Sequence, residues 1–297
     1  MTITVSAGVT DSGLKISSGD PLLVLSGGTV EDSAVLSGGS ATLSSGALAL
    51  GLTISKGGTL LGAGNVESAD VNGAVSGVAL TDSGTMTLHS GAVASGVKVD
   101  EGATLVVSAQ ASAEATLVSG GALSVAGSES GAIVESDGDE VVSSGAVAAG
   151  DVVRSGGFLD LVAGGTASGD RVQSGGNFYS DGGVLSQSVA IGTVTTTTVV
   201  SGVTVSSGGA IQFAEATVLS GVTLNLAADA GLESLVISKG GAVTGDGYLY
   251  ESAFGAAEED AAVVAGSIDG VTAGGVSIEL LSGGTASGLA IYNPDDV

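Results

Sequence analysis

The sequence predicts an all-β chain wound as a parallel β-helix, a solenoid with about 19 residues per coil and three short sides to each coil. Three observations predict it. The first is a fixed period: Gly157 and Gly176, the second glycines of successive Ser-Gly-Gly corners, lie one such coil apart. The second is an alternation of aliphatic residues after each corner, which is the period of short half-buried strands. The third is composition. Of 297 residues 53 are Gly, 43% are hydrophobic and only 3% are aromatic. A thin core of stacked Val, Leu, Ile and Ala suits those figures. Collagen is excluded because glycine does not recur every third residue. Disorder is excluded because the aliphatic residues are many and regularly placed.

The repeat unit reads aliphatic, spacer, Ser-Gly-Gly, spacer, then apolar–x–apolar. The leading aliphatic position is filled by Val35, Ile54, Leu117, Val153, Val172, Val205 and Ile237 in different copies. The alternating pair after the corner is Leu123 and Val125, Leu159 and Leu161, or Ile211 and Phe213. A lone Ser-Gly precedes Met86 and Leu88 in the same phase. Glycine supplies the positive φ that a sharp corner needs. Further glycines at Gly51, Gly96 and Gly150 mark a third corner.

The array is expected to run through 1–297 as a single domain of about 15 to 16 coils. The pattern blurs at 62–78, 186–194 and 225–235. Its widest gap is 244–280, read as a loop insertion or irregular coils. Both prolines, Pro21 and Pro294, lie near the ends, where they would help to terminate strand pairing.

Charge narrows the partners. Lys and Arg total 6 against 31 Asp and Glu, a formal net charge of −25. Such a surface repels phosphate backbones, so nucleic acid is excluded as a partner. No stretch reaches the ~18 apolar residues of a membrane helix, so no membrane insertion is expected. No signal peptide is visible in the first 30 residues. There is no cysteine, so disulfide staples and Cys–His chemistry are excluded.

Candidate chemistry is sparse. His89 is the one histidine, set just after Leu88, and reads as a surface corner because a general base would want an orienting carboxylate. Asp137, Asp139 and Glu140 form the densest acidic cluster. They read as a solvated corner, with weak calcium binding as the alternative. Glu258, Glu259 and Asp260 read as a solvated loop. The threonine run 195–198 lacks the coil-by-coil recurrence of an ice-binding face. Tyr248, Tyr250 and Phe254 make the one aromatic group, either a local plug or the place to look for a ligand patch. No residue is assigned as catalytic, cofactor-binding or metal-binding.

The segments SGGTASG at 282–288, AGGTASG at 163–169 and VQSGGNFYSDGG at 172–183 resemble the AIDA-type repeat. That repeat occurs in the passenger domains of autotransporter adhesins of Gram-negative bacteria and in related secreted proteins. The resemblance implies a right-handed helix, the hand that parallel crossovers prefer. It further implies an extracellular or cell-surface location and a role in adhesion, self-association or biofilm formation. Partners would be host or bacterial surface components or further copies of the chain. Ser and Thr residues would be acceptors for a heptosyltransferase. The extended signal peptide and outer-membrane barrel of autotransporters are not seen, which leaves the export route open. The leading expectation is therefore a non-catalytic structural or adhesive module without cofactors. The alternatives are a carbohydrate-active β-helix enzyme and a passive stalk displaying another domain.

Overall fold

A computed structural model describes residues 1–250, 261–274 and 277–292. Among these residues every regular element is a β-strand. No helix is long and apolar enough to cross a membrane. The strands build a parallel β-solenoid, as predicted. The chain divides into two compact units. The first is Met1–Leu159 with Gly164–Arg171; the second is Asp160–Ala163 with the residues from Val172 onward.

In the first unit the coils lay their strands on three faces, and in two coils one long strand, Asn65–Val71 or Ala79–Leu88, covers two of them. Face one is a sheet of ten strands, running from Ile3–Val5 and Leu22–Val24 to Val147–Ala149 and Thr166–Ser168. Face two begins with Thr10–Ser12 and Thr29–Glu31. Face three begins with Lys15–Ile16 and Ala34–Val35. Every pairing described within this unit is parallel, with Ile16 beside Val35 and Val35 beside Ile54. Those partners are separated by the same step as Gly157 and Gly176, the period read from the glycines.

The register also explains the blurred segment 62–78. There Thr59 pairs with Ala74, and Asn65 with Ala79, so the coil is cut short of the full period. A second shortened coil lies between Ser112 and Ser128, which pair directly. The coil tolerates such deletions because each face needs only a short strand to keep its ladder.

Inward positions form columns of like residues. Face two stacks Val99, Val118, Val134 and Val153, all with no exposed surface. Leu159 and Leu161, the predicted inward pair, are both buried. A fully buried Val or Leu contributes about 1.5–3 kcal/mol of transfer free energy, so repetition substitutes for a thick core.

The two glycines of a corner do different work, as Gly57 and Gly58 show. Gly57 holds φ at +78°, a conformation costly for any residue with a Cβ. Gly58 has no such φ. Instead a Cβ there would stand 2.7 Å from the Val35 carbonyl oxygen of the coil before. The second glycine is therefore what lets one corner settle onto the next.

The second unit keeps three faces. One carries Gly183–Leu185, Glu215–Val218, Ser234–Ile237, Ala261–Val264 and Ser277–Leu280 in order. Here the structure corrects the sequence reading at one place. The stretch 199–205 reads as an ordinary repeat, yet Thr198–Val200 and Val203–Val205 pair antiparallel as a hairpin. Ser201 and Gly202 both have positive φ, 50° and 85°. Two consecutive positive φ values make the tight reversal of a two-residue hairpin rather than a corner. Because of this excursion Asn177 pairs with Ala210, well beyond one coil length. Farther along, Leu235 pairs with Ala262, again a longer step than the regular coil.

The distinct roles of corner glycines can be measured. Gly145 has positive φ and open space around the missing Cβ. Gly145→Ala is expected to lower stability by about 1 kcal/mol, and Gly58→Ala by about 3 kcal/mol because the backbone must separate. Urea unfolding of the two variants checks this; equal losses would contradict the assignment of clash to the second glycine.

Candidate functional site

Three features of the described residues stand apart from the repetitive scaffold. The first is face one of the first unit. Its ten strands point Thr4, Leu23, Thr42, Leu61, Ser76, Ser95, Glu114, Ser130, Ala149 and Ser168 outward in one column. Beside it runs a second column that includes Val93, Ser112, Ser128, Val147 and Thr166. Glu114 is the one charged side chain directed outward from these ten strands. In a chain of net charge −25 this is a surface from which charge has been removed. Leu61, Val93 and Val147 add exposed aliphatic area to the hydroxyls.

The second feature is the tyrosine group of the second unit. Tyr248–Tyr250 pairs in parallel with Gly231–Leu232. The two rings lie 5.6 Å apart and tilted at 45°. Both lean over Gly231, where a Cβ would come within 2.6 Å of Tyr248 and 2.7 Å of Tyr250. Tyr248 is exposed and Tyr250 half-buried. Partial burial is the first cause that raises the phenol of Tyr250, and the charge of Glu233 adds to it. Tyr179, which the sequence reading did not group with these, feels the same field. Its phenol is pushed up to about 12, first by burial and then by the charge of Glu233, with Asp181, Tyr250 and Asp160 adding to it. Thus Tyr179, Tyr250 and Glu233 form one electrostatic neighbourhood. Phe254 lies outside the described residues, as do Glu258, Glu259 and Asp260.

The third feature overturns the reading of the acidic segment 137–140. Asp137 is at an exposed corner with φ +59°, taking the place of a first glycine. Glu140, however, is fully buried. It occupies the face-three column between Leu123 and Leu159, in the inward phase that those leucines fill. Glu129 likewise stands in the face-one column between Ala113 and Ala148. Asp151 and Asp170 follow the third-corner glycines Gly150 and Gly169 and also point inward. Oxygens of Glu129, Glu140 and Asp151 come within 4.8 Å of one another.

Backbone donors meet part of this need. The Ala132 N–H donates to Asp151 Oδ1 at 2.7 Å and to Glu129 Oε2 at 3.3 Å. Asp170 accepts from the N–H groups of Asp151 and Ser168. Both oxygens of Glu140, Oε1 of Glu129 and Oδ2 of Asp151 receive no protein donor, nor does the buried Thr116 hydroxyl have a partner. Burial is the first cause that raises Glu129, to about 10, with Asp151 and Glu140 adding to it. Burial also drives Glu140 well above the carboxylate range, with the charges of Asp151 and Asp170 behind it.

His89 lies on the surface, with Nε2 3.2 Å from Asp70 Oδ1 in the preceding coil. The register supplies this carboxylate from the paired strand, where Asp70 stands beside Thr87. The threonine run 195–198 leads into the antiparallel hairpin rather than lining a face.

No family model matches the chain, and no curated protein matches it. Among solved structures it is similar to a crystal structure of a TibA fragment hyperglycosylated by TibC. The identity is 24%, over 98% of this chain and 93% of that one, with a TM-score of 0.36. The fold assignment accordingly rests on the strand register described above.

The tyrosine field predicts a titration order. Followed by phenolate absorbance, Tyr179 is expected to stay neutral through the ordinary phenol range and to ionise only at about 12. Removing the negative charge in Glu233→Gln should bring that transition down towards the ordinary phenol value. An unchanged late transition in the variant would show that Glu233 does not face Tyr179.

Proposed function

We propose that the chain is a non-catalytic adhesive module displayed on, or secreted from, a bacterial cell, and that it acts by association of solenoids along face one. The observation that carries this reading is the uncharged ten-strand face on a strongly acidic chain. The outward positions of faces two and three carry charges, among them Glu31, Asp70, Lys98, Asp139 and Arg171, which two copies meeting there would have to desolvate. On face one, hydroxyls and short aliphatic side chains can come together without desolvating a charge, except at Glu114.

Magnitude decides what kind of adhesion this is. Ten strands at about 4.8 Å and roughly three residues of width give a face of roughly 43 by 10 Å. Roughly 430 Å² per partner is about half of the ~800 Å² that a stable complex buries. One pair of faces is therefore weak, and adhesion would come from many copies held on a surface. Host or bacterial surface components could use the same face. A ligand carrying sugar rings would instead meet Tyr248 and Tyr250, whose exposed ring surfaces suit stacking.

Two measurements test the reading. Cells or beads densely coated with the chain should clump, while the free chain at micromolar concentration stays monomeric. Thr42→Glu combined with Ala149→Glu places two charges in the outward column, where the paired positions Leu23, Leu61, Ser130 and Ser168 offer no opposite charge, and should reduce clumping about tenfold or more. Clumping that survives this pair would sink the assignment of face one. For the tyrosine patch, Tyr248→Ala should weaken retention on a polysaccharide column. Retention equal to that of the native chain would remove the patch from consideration.

A further inference from the structure

The carboxylates of Glu129, Glu140 and Asp151 converge inside the first unit from three different stretches of the coil. Glu129 comes from face one, Glu140 from face three, and Asp151 from a corner of the next coil. Each is at most 2% exposed. Their neighbours in the same columns are Ala113 and Ala148 for Glu129, Leu123 and Leu159 for Glu140, and Ala132 and the buried Asp170 for Asp151. The surroundings thus offer no cation and few donors. Unpaired charges in such a place are costly unless something else compensates them.

We propose that Glu129, Glu140 and Asp151 form an interior calcium site. The geometry fits the ion. Ligand oxygens of all three residues lie within 4.8 Å of one another, near enough to share one ion with Ca–O bonds of about 2.3–2.6 Å. The ligand atoms are all oxygens, the chemistry of a hard cation. Four carboxylate oxygens of these three residues are reached by no protein donor. The other oxygens of Glu129 and Asp151 are held by the Ala132 N–H, which fixes both side chains and leaves their second oxygens free for the ion. Magnesium fits less well, because it requires bonds of about 2.1 Å in strict octahedral geometry and gives up its waters reluctantly. Asp170 supports the set from outside it. It accepts the Asp151 N–H at 2.9 Å and so orients the backbone that carries the third ligand.

The site lies within the solenoid, away from its outward faces, so it is independent of the adhesive reading. A divalent ion there would join two successive coils at three points. It would act as an internal staple in a chain that has no cysteine.

The full chain is unfolded, refolded in EDTA at neutral pH, freed of chelator and divided among buffers containing calcium chloride, magnesium chloride or neither. Unfolding is needed because the site is enclosed. The native chain should retain one calcium per chain through gel filtration. Its melting temperature should rise by at least about 5 °C at saturating calcium, with a smaller rise in magnesium. Glu140→Leu, which completes the leucine column, should retain no calcium and show no rise. Without calcium it should melt above the native chain, since an apolar residue replaces an uncompensated acid. Glu129→Ala, matching Ala113 and Ala148, serves as the second variant should the first fail to fold. A native chain that retains no calcium and shows no rise overturns the proposal, leaving protons alone to neutralise the acids. A rise equal in both variants also overturns it, by placing the ion on outer acids. An equal response to magnesium overturns the choice of calcium.

Discussion

The structure depends on one contact, the seat of a corner glycine on the backbone of the coil before. Gly58 rests against the Val35 carbonyl with no room for a Cβ, and Gly157 does the same against Val134. Parallel ladders need neighbouring strands about 4.8 Å apart along their whole length. A corner that stood off by even a methyl group would tilt the next coil and lengthen the hydrogen bonds on two faces at once. Ser-Gly-Gly is thus a spacing device as well as a turn. This is why glycine is retained where its conformational freedom is not used.

Stacking in register has a consequence for polar residues. Each inward position has the same position above and below it, so a residue's neighbours are largely its own column. Valine above valine is self-consistent packing. An acid above leucine is not, and neither are three acids from adjacent columns. Glu129 fits sterically because its column neighbours are alanines, which leave volume for the longer side chain. Glu140 has leucines on either side and lies in a space of leucine size. The acids therefore sit in packing that accommodates their bulk, and their difficulty is charge alone. A cation or protons must answer that charge, and the answer bears on how firmly two coils are joined.

Much of this was legible in the sequence, and what was not has definite physical causes. Alternation and corner glycines are local, so the strand phase at Leu159 and Leu161 could be read directly. The short coil at 62–78 is blurred because corner residues are missing, and its ladder continues across a register shift between Val66 and Ser68. The hairpin at 198–205 escaped because Val-Ser-Gly-Val differs from a corner only in the φ of Ser201. No side chain announces that choice, which is made by packing. Glu140 was legible and misread. Counting two from Gly138 puts it in the inward phase of Leu123, but its acidic neighbours Asp137 and Asp139 suggested solvent. Composition of the short window and phase point opposite ways here, and in a solenoid phase is the stronger constraint. Asp151 had a weaker signal. It shares its post-glycine position with Val78 and Val97, which is visible only once the three-sided register is known.

The outer surface follows from the same logic with the sign reversed. An outward position likewise has its counterpart about 4.8 Å away in the next coil. Like charges at that spacing repel along the whole face. Face one avoids this by using Ser, Thr and short aliphatics, with Glu114 alone between Ser95 and Ser130. Elsewhere acids stand at corners, as Asp137 does, or singly on strands, as Asp70 does between Thr53 and Thr87. The distribution that keeps a long parallel ladder stable thereby also leaves face one nearly free of charge. On this account the scarcity of charge on face one arises from the electrostatic requirements of stacking itself.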